Sequence, residues 1–194
     1  MSVTTLVLTG QALADALNDV ARLRMAVFRD WPYVYDGDAD YEREYLQAYL
    51  SPGAVVVAAL DGDRIVGAAT GAPMADHAAD FAAAFQDRPE DLSDIFYCAE
   101  SALLPEYRGQ GIGHAFFDAR EDHARRLGHR YSAFCSVIRP DDHPARPADY
   151  RPLDPFWRKR GYEPLPGVVA RFAWKDLGQH DETDKPLQFW MRSL

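Results

Sequence analysis

Residues 108–113, which read RGQGIG, have the residue types and spacing of an anion-binding loop. Gly109, Gly111 and Gly113 lack Cβ atoms, so backbone N–H groups in this stretch can approach a ligand closely. An amphipathic segment with helical spacing begins at Ile112, and the first N–H groups of a helix have no internal partner and lie at the positive end of its dipole. Arg108 adds a permanent positive charge. The sequence therefore predicts a phosphate site at a helix N-terminus.

The segments flanking this loop predict a strand before it and a helix after it. An apolar run from Ile95 to Leu104 has strand character, and Pro105 ends it because proline has no N–H to donate to a sheet. The helix is expected to run from Ile112 to Leu127, with Gly128 as its C-terminal stop. A glycine-rich turn into a surface helix, without a ligand, is the structural alternative.

Two common phosphate motifs do not fit the loop. A Walker loop requires Gly-Lys-Ser/Thr, which is absent here. A dinucleotide fingerprint requires G-x-G-x-x-G and an acidic residue about 20 residues on, whereas these glycines run G-x-G-x-G and residues 131–134 contain no acid.

The pattern Arg/Gln-x-x-Gly-x-Gly after a strand ending in LLPEY resembles motif A of the GNAT superfamily of N-acetyltransferases. This resemblance implies that the loop binds the pyrophosphate of acetyl-CoA. It also implies that the backbone N–H of Leu103 polarises the thioester carbonyl. The cofactor-binding residues expected from it are Leu103, Leu104, Arg108, Gly109, Gln110, Gly111, Ile112, Gly113 and His114.

Glu100 is the predicted general base, because it lies on the strand before the loop and a carboxylate there can take a proton from an amine, directly or through water. The family's catalytic glutamates lie in the same strand. The structural alternative for Glu100 is a buried acid paired with an arginine.

Residues 157–162 resemble the family's motif B, Tyr-x-x-x-Gly-Phe, but read WRKRGY. Trp157 therefore occupies the position of the tyrosine that acts as general acid, and an indole N–H is not a practical acid. Tyr150 falls near the family's usual upstream asparagine and is the predicted replacement; Tyr107 or water are the alternatives.

The segment between the first two predicted helices borders the acceptor site in GNAT proteins. Here it carries Tyr33, Tyr35 and Asp36, which could hold a cationic amine. His143, in the long Pro-rich connection of residues 139–155, is a further candidate with a suitable pKa for proton transfer. A turn, an N-cap at Asp40 and a surface histidine are the alternatives.

Hydrophobic periodicity predicts an α/β (α+β) chain in the order β-α-α-β-β-(α)-β-α-β-α-β-β, which matches the GNAT fold: a central mixed, mostly antiparallel sheet of about seven strands flanked by helices. The two final strands are expected at about residues 168–174 and 185–192. No linker or repeat divides residues 1–194, so one domain is expected.

Composition limits the classes of function. The chain has 194 residues, 47% of them hydrophobic, and a formal net charge of −9, which argues against a nucleic-acid binder and is compatible with cationic substrates. No apolar run reaches the length of a membrane span, and the N-terminus lacks signal-peptide features, so a cytoplasmic location is expected. Two cysteines make no disulfide framework, and no metal site is expected.

These observations predict an acetyl-CoA-dependent N-acetyltransferase that acts on a small-molecule or peptide amine, with homodimerisation possible in this family. A non-catalytic acyl-CoA-binding module is the main alternative, favoured by Trp157 and opposed by Glu100. A nucleotide-dependent oxidoreductase is opposed by the glycine spacing.

Overall fold

Seven strands form one sheet in the computed structural model, which describes residues 3–194. The order across the sheet is β1-β2-β3-β4-β5-β7-β6, and every neighbouring pair is antiparallel except β4 and β5, which are parallel. The strands are β1 (Thr4–Leu8), β2 (Val55–Asp61), β3 (Arg64–Pro73), β4 (Ile95–Leu103), β5 (Tyr131–Val137), β6 (Glu163–Lys175) and β7 (Glu182–Ser193). The predicted mixed, mostly antiparallel sheet flanked by helices is confirmed.

Helices cover both faces of this sheet. They are α1 (Gly10–Phe28), α2 (Ala39–Leu46), α3 (Ala78–Phe85), α4 (Ile112–Arg126) and α5 (Asp154–Lys159). On one face, α1 and α2 pack with β1–β4, and α3 packs beside them against β4–β7. On the opposite face, α4 and α5 pack over a core of Phe96, Phe116, Phe134 and Trp190.

The two parallel strands β4 and β5 are paired only at their first residues. Ladder partners run from Ile95 opposite Tyr131 to Tyr97 opposite Ala133. Beyond that point β4 continues to Leu103 without a partner on its β5 side. This separation opens a gap next to the loop that follows β4.

A bulge in β4 changes which face its side chains occupy. Gly71 of β3 stands opposite both Cys98 and Ala99, because the register shifts between Thr70, which faces Glu100, and Ala72, which faces Tyr97. An added Cβ at Gly71 would lie 2.6 Å from the Phe96 ring, so only glycine fits opposite the bulge. At this point the side chains of β4 therefore do not alternate strictly between the two faces of the sheet.

Several predicted element ends differ from the structure. Asp38, rather than Asp40, caps α2, accepting from the N–H groups of Asp40 and Tyr41 at 3.1 and 2.9 Å. The last two strands are longer than expected, because β6 begins at Glu163 and β7 at Glu182. The helix after the loop runs from Ile112 to Arg126. Gly128, two residues beyond its end, has a φ of 86°, which suits a left-handed C-terminal stop.

Candidate active site

The glycine loop presents free backbone donors at the start of α4. Gly109 and Gly111 have φ values of 75° and 83°, and an added Cβ at either would meet open space. Gly111 is the N-cap of α4 without a side-chain partner, and the helical bonding begins with the N–H of Ala115 to the Gly111 carbonyl at 3.2 Å. The N–H groups just before Ala115 therefore have no acceptor in the helix and are available to an anion.

Side chains of the loop help to fix its shape. Arg108 Nε donates to the Leu103 carbonyl at 3.3 Å, and Gln110 Nε2 donates to the Glu106 carbonyl at 3.2 Å. His114 accepts from Arg160 at its Nδ1, 3.1 Å away, and its ring packs on Phe156 at 4.8 Å. The side chains of Gln110 and His114 are thus engaged within the protein, and the loop offers a ligand mainly its backbone.

Leu103 directs its backbone N–H into the gap between β4 and β5. The next residue, Leu104, donates its N–H to the Val66 carbonyl of β3 at 3.1 Å. Alternate residues of an antiparallel strand bond to the same neighbour, so the N–H of Leu103, opposite Gly67, points away from β3. The structure thus has a backbone donor where the resemblance implies one, about 10 Å of strand from Glu100.

Glu100 lies on the sheet face covered by α1 and α2, as a consequence of the bulge. Its Oε1 accepts from the Tyr45 hydroxyl at 2.6 Å, and its Oε2 accepts from the Thr70 hydroxyl at 3.1 Å and forms an ion pair with Arg24. A carboxylate offers about four lone-pair positions, of which these contacts use three. One acceptor position on Oε1 is left unused by these contacts, and the side chain as a whole is 16% exposed.

Arg24 joins Glu100 to a second carboxylate. Its guanidinium also pairs with Glu42 of α2, which is fully buried, and lies 4.5 Å from the Tyr45 ring centroid. One cation therefore stands between two carboxylates, and the buried acid–arginine pair considered as the structural alternative for Glu100 is present. Burial, and after it the neighbouring Glu100, raises the pKa of Tyr45, which keeps this phenol protonated as a hydrogen-bond donor.

A cavity of about 470 Å³ opens in front of Glu100. Its walls come from α1, the α1–α2 connection, α2 and the strands β4 to β7. Aromatic residues make up eight of the 19 that line it: Phe28, Tyr33, Tyr35, Tyr41, Tyr45, Tyr97, Phe172 and Trp174. The predicted acceptor residues Tyr33, Tyr35 and Asp36 therefore line the same cavity as Glu100, and Asp36 forms an ion pair with Lys175 at 2.9 Å.

The α1–α2 connection is held in place by residues far along the chain. Arg139 donates to the carbonyls of Pro32 and Tyr33 and pairs with Asp176 at 2.8 Å. The Trp174 indole donates to the Tyr33 carbonyl at 3.1 Å. Although burial alone would raise the pKa of Asp176, its pairing with Arg139 lowers that pKa, so the ion pair is maintained at neutral pH.

His143 and Tyr150 lie together beside Trp31, outside the lining of the cavity. Their ring centroids are 5.1 Å and 5.9 Å from that of Trp31. Burial raises the pKa of Tyr150, and nearby Asp154 adds to the effect. The other tyrosine considered, Tyr107, donates to Asp61 at 2.9 Å in the β2–β3 hairpin. The structure does not bring His143 or Tyr150 into contact with Glu100, and their functional roles stay predictions.

Trp157, at the motif B position, is part of an aromatic cluster on the opposite face of the sheet. Its ring centroid lies 5.0 Å from that of Phe134 and 5.1 Å from that of Trp190. Trp190 is itself fixed through its indole N–H, which donates to the Ser136 hydroxyl at 3.1 Å. Trp157 therefore packs against β5, which borders the gap, and against β7.

Sequence reasoning missed the residues that position Glu100. Arg24 lies on the buried face of α1, four residues after Val20 and four before Phe28, so a charged residue within an apolar stripe was the available signal. On the α4 side, buried Arg120 donates to the backbone carbonyls of Thr70 and Glu100 at 3.1 and 2.8 Å. These donations hold β3 and β4 together beside the bulge.

The two thiols are buried and free, as expected. Cys135 lines the cavity, and its Sγ lies 3.3 Å from the Tyr97 hydroxyl. Burial raises the pKa of Cys135 to about 12, so the thiol is neutral at physiological pH and a poor nucleophile. Cys135 is therefore not expected to form a covalent intermediate.

Two further observations concern the described residues only. Between residues 3 and 194, no three His, Cys, Asp or Glu side chains are grouped in a way that could hold a metal ion. Within the same range, no helix has both the length and the apolar character needed to cross a bilayer.

Solved structures with this fold include several acetyltransferases. A ribosomal-protein-alanine N-acetyltransferase from Brucella melitensis aligns with a TM-score of 0.63 and 15% identity, over 97% of this chain and 99% of that chain. A phosphinothricin acetyltransferase from Sinorhizobium meliloti, in complex with acetyl-CoA, aligns with a TM-score of 0.61 and 20% identity, over 100% of this chain and 89% of that chain. The yncA protein from Salmonella typhimurium, solved with acetyl-CoA, aligns with a TM-score of 0.61 and 14% identity, over 100% of this chain and 95% of that chain.

The sequence comparisons agree with the fold. A search of curated proteins finds no match to the chain. The family model of the GNAT acetyltransferases, in contrast, matches residues 17–149, which is more than half of the chain and includes the C-terminal part of α1, the bulged strand β4, the glycine loop and α4. The chain therefore belongs to the GNAT acetyltransferase family.

Proposed function

We propose that this protein is an acetyl-CoA-dependent N-acetyltransferase that moves the acetyl group directly to a primary amine. The observation that carries the proposal is that Glu100 faces a cavity open at one end while Leu103, on the same strand, points its N–H into the gap beside the glycine loop. The proposed base, the proposed carbonyl-polarising donor and the proposed phosphate site would thus follow one another from Glu100 in β4 to the start of α4.

The free N–H groups before Ala115, together with Arg108, would hold the pyrophosphate of acetyl-CoA. The open space at Gly109 and Gly111 fits such a ligand, because no side chain obstructs its approach. The N–H of Leu103 would donate to the thioester oxygen as negative charge develops there, which is worth roughly 3 kcal/mol of barrier for one preorganised donor.

Glu100 would take a proton from the acceptor ammonium through the free position on Oε1, directly or by way of water. The neutral amine nitrogen then forms a bond to the acetyl carbon while the bond between that carbon and the CoA sulfur breaks. In total, R–NH₃⁺ and acetyl-CoA give the acetamide, CoA-SH and one H⁺. Of the two protons lost by the ammonium, one ends on the CoA sulfur and the other is released to solvent.

Tyr150 is the proposed donor of the proton to the departing thiolate. An ordinary phenol, with a pKa of about 10, is protonated at neutral pH, as a general acid requires. A thiol with a pKa near 8.5 is also a fair leaving group without help, so the contribution of this residue is expected to be moderate.

A non-catalytic acyl-CoA-binding module is the second candidate. It is favoured by Trp157, whose ring is engaged with Phe134 and Trp190 where a catalytic tyrosine is expected, and by the ion pair that engages Glu100 with Arg24. Such a module would bind CoA through the same loop without turning it over.

The test is to incubate the full chain with acetyl-CoA and a panel of primary amines, and to follow free thiol. The proposed transferase predicts release that depends on the amine, with a matching acetamide detected by mass spectrometry. The reaction without amine is the control for simple hydrolysis. Tight binding of CoA without release across the panel would contradict the transferase and favour the binding module.

A further inference from the structure

Resting on the proposed function, we infer that the acceptor is a cationic primary amine, carried on a compact aromatic or branched apolar body and lacking a carboxylate. The inference comes from the distribution of charge and apolar surface in the cavity in front of Glu100. Its two ends are polar, and the wall between them is largely aromatic.

The buried end of the cavity suits a single ammonium group. Glu100 and Arg24 line this end, and Glu42 is buried behind Arg24, so two carboxylates share one guanidinium and one negative charge is left without a partner. The free acceptor position on Oε1 of Glu100 can receive one N–H. An anionic group at this end would meet the same excess negative charge and is therefore disfavoured.

The wall of the cavity suits an apolar body. Phe28, Phe172 and Leu187 contribute only hydrocarbon, and the Trp174 indole N–H is already bonded to the Tyr33 carbonyl. A polar group placed against Phe28, Phe172 or Leu187 would lose its hydrogen bonds to water without gaining a partner, at a cost in binding free energy.

Among the described residues that line its mouth, the cavity has no unpaired Lys or Arg available for a substrate carboxylate. Lys175 is already paired with Asp36 at 2.9 Å, and the other charged groups there are Asp38 and Glu182, with His180 as the one titratable imidazole. Over the whole lining, four carboxylates (Asp36, Asp38, Glu100 and Glu182) stand against two permanent cations (Arg24 and Lys175). Amino acids are therefore expected to bind less well than the corresponding amines.

The size of the cavity agrees with a small molecule. A volume of about 470 Å³ lies within the range of small-ligand pockets, roughly 300–1,000 Å³. An amine as small as ethylamine would leave most of the aromatic wall uncovered, and the hydrophobic stabilisation would be lost.

The experiment compares kcat/KM for five acceptors: 2-phenylethylamine, ethylamine, L-phenylalanine, spermidine and a short peptide with an N-terminal alanine. We expect 2-phenylethylamine to exceed each of the others by about tenfold or more, the discrimination typical of filling an apolar pocket. A higher kcat/KM for spermidine, the amino acid or the peptide would overturn this inference and leave the transferase proposal standing. Binding of CoA without turnover of any acceptor would contradict both.

A wall variant separates the apolar contact from general damage to the protein. Phe172→Ala removes one ring from the cavity and should lower kcat/KM for 2-phenylethylamine about tenfold while changing that for ethylamine by less than about twofold. Tyr131→Ala, which removes a half-buried ring of β5 outside the cavity, is the matched control and should lower neither. Equal losses for both amines in Phe172→Ala would overturn the assignment of the wall.

Discussion

The glycine loop and the acceptor cavity are assembled in opposite ways. The loop is a continuous stretch of the chain, and its useful groups are backbone N–H donors whose positions follow from two left-handed glycines and the start of α4. The cavity is assembled from side chains of α1, α2 and four strands, and its key carboxylate depends on Arg24, which lies 76 positions earlier in the sequence.

This difference indicates which changes each region tolerates. Backbone donors survive the exchange of neighbouring side chains, so the loop is sensitive mainly to substitutions that alter its backbone or fill its open space. The cavity depends on buried charges that balance one another, so removing one member leaves another without a partner, which is costly in a low-dielectric environment.

The largest expected effect is loss of stability in Arg24→Gln. Glu42 is fully buried and would lose its cation, which costs about 3–5 kcal/mol of the free energy of unfolding. Urea denaturation measures this change. Arg22→Gln is the matched control: its pair with Asp19 is exposed, and the loss should stay below about 1 kcal/mol. Equal stability of the two variants would show that the buried cluster does not need its cation.

A catalytic effect of intermediate size is expected for Tyr150→Phe. If this phenol protonates the leaving thiolate, kcat falls about 10- to 100-fold with little change in the affinity for acetyl-CoA. Tyr107→Phe is the control, because Tyr107 is bonded to Asp61 in the β2–β3 hairpin. The general-acid assignment is wrong if steady-state kinetics show the same kcat for Tyr150→Phe and the parent protein.

The loop should respond to Gly111→Ala. A residue with φ of 83° costs about 1–2 kcal/mol when it carries a Cβ, and the added methyl group would enter the space left open for the anion. We expect CoA affinity, measured by calorimetric titration, to fall about tenfold.

Gly178→Ala provides the comparison for that loop variant. Gly178 has φ of 78° and equally open surroundings but lies in the β6–β7 connection, so it carries the same strain away from the loop. Both variants should lose similar stability, while CoA affinity falls only in Gly111→Ala. Loss of affinity in both would mean that strain, rather than access to the loop, is being measured.

The smallest effect is expected for Cys135→Ala. With its pKa raised to about 12 by burial, the thiol is protonated at pH 8 and does not attack the thioester. The variant should keep kcat within about threefold, the change expected from a small loss of packing in the cavity wall. Accumulation of an acetylated Cys135 by mass spectrometry, in the absence of amine, would contradict direct transfer.

The loop could be predicted from the sequence because its interactions are local. The start of α4 at Ile112 and the stop at Gly128 agree with the expected positions, since glycines and amphipathic spacing act over a few residues. The overall sheet followed from the order of strands and helices together with the family resemblance.

The surroundings of Glu100 could not be predicted in the same way. Alternation along β4 gives no sign of the bulge at Cys98 and Ala99, which arises from pairing with Gly71. The ion pairs of Arg24 require knowledge of how α1 packs on α2 and the sheet. Likewise, the sequence predicts Tyr33 and Asp36 as acceptor residues, but their contacts with Trp174 and Lys175 depend on β6.

The most direct test of the central claim is a kinetic comparison of Glu100→Gln with the parent protein, using an amine that supports turnover. The amide keeps the size of the side chain and can still accept from Tyr45, but it cannot take the ammonium proton. We predict that kcat falls about 100-fold or more while the Kd for CoA changes by less than about twofold, as expected for the loss of a general base. An unchanged kcat would contradict the assignment of Glu100 as the base.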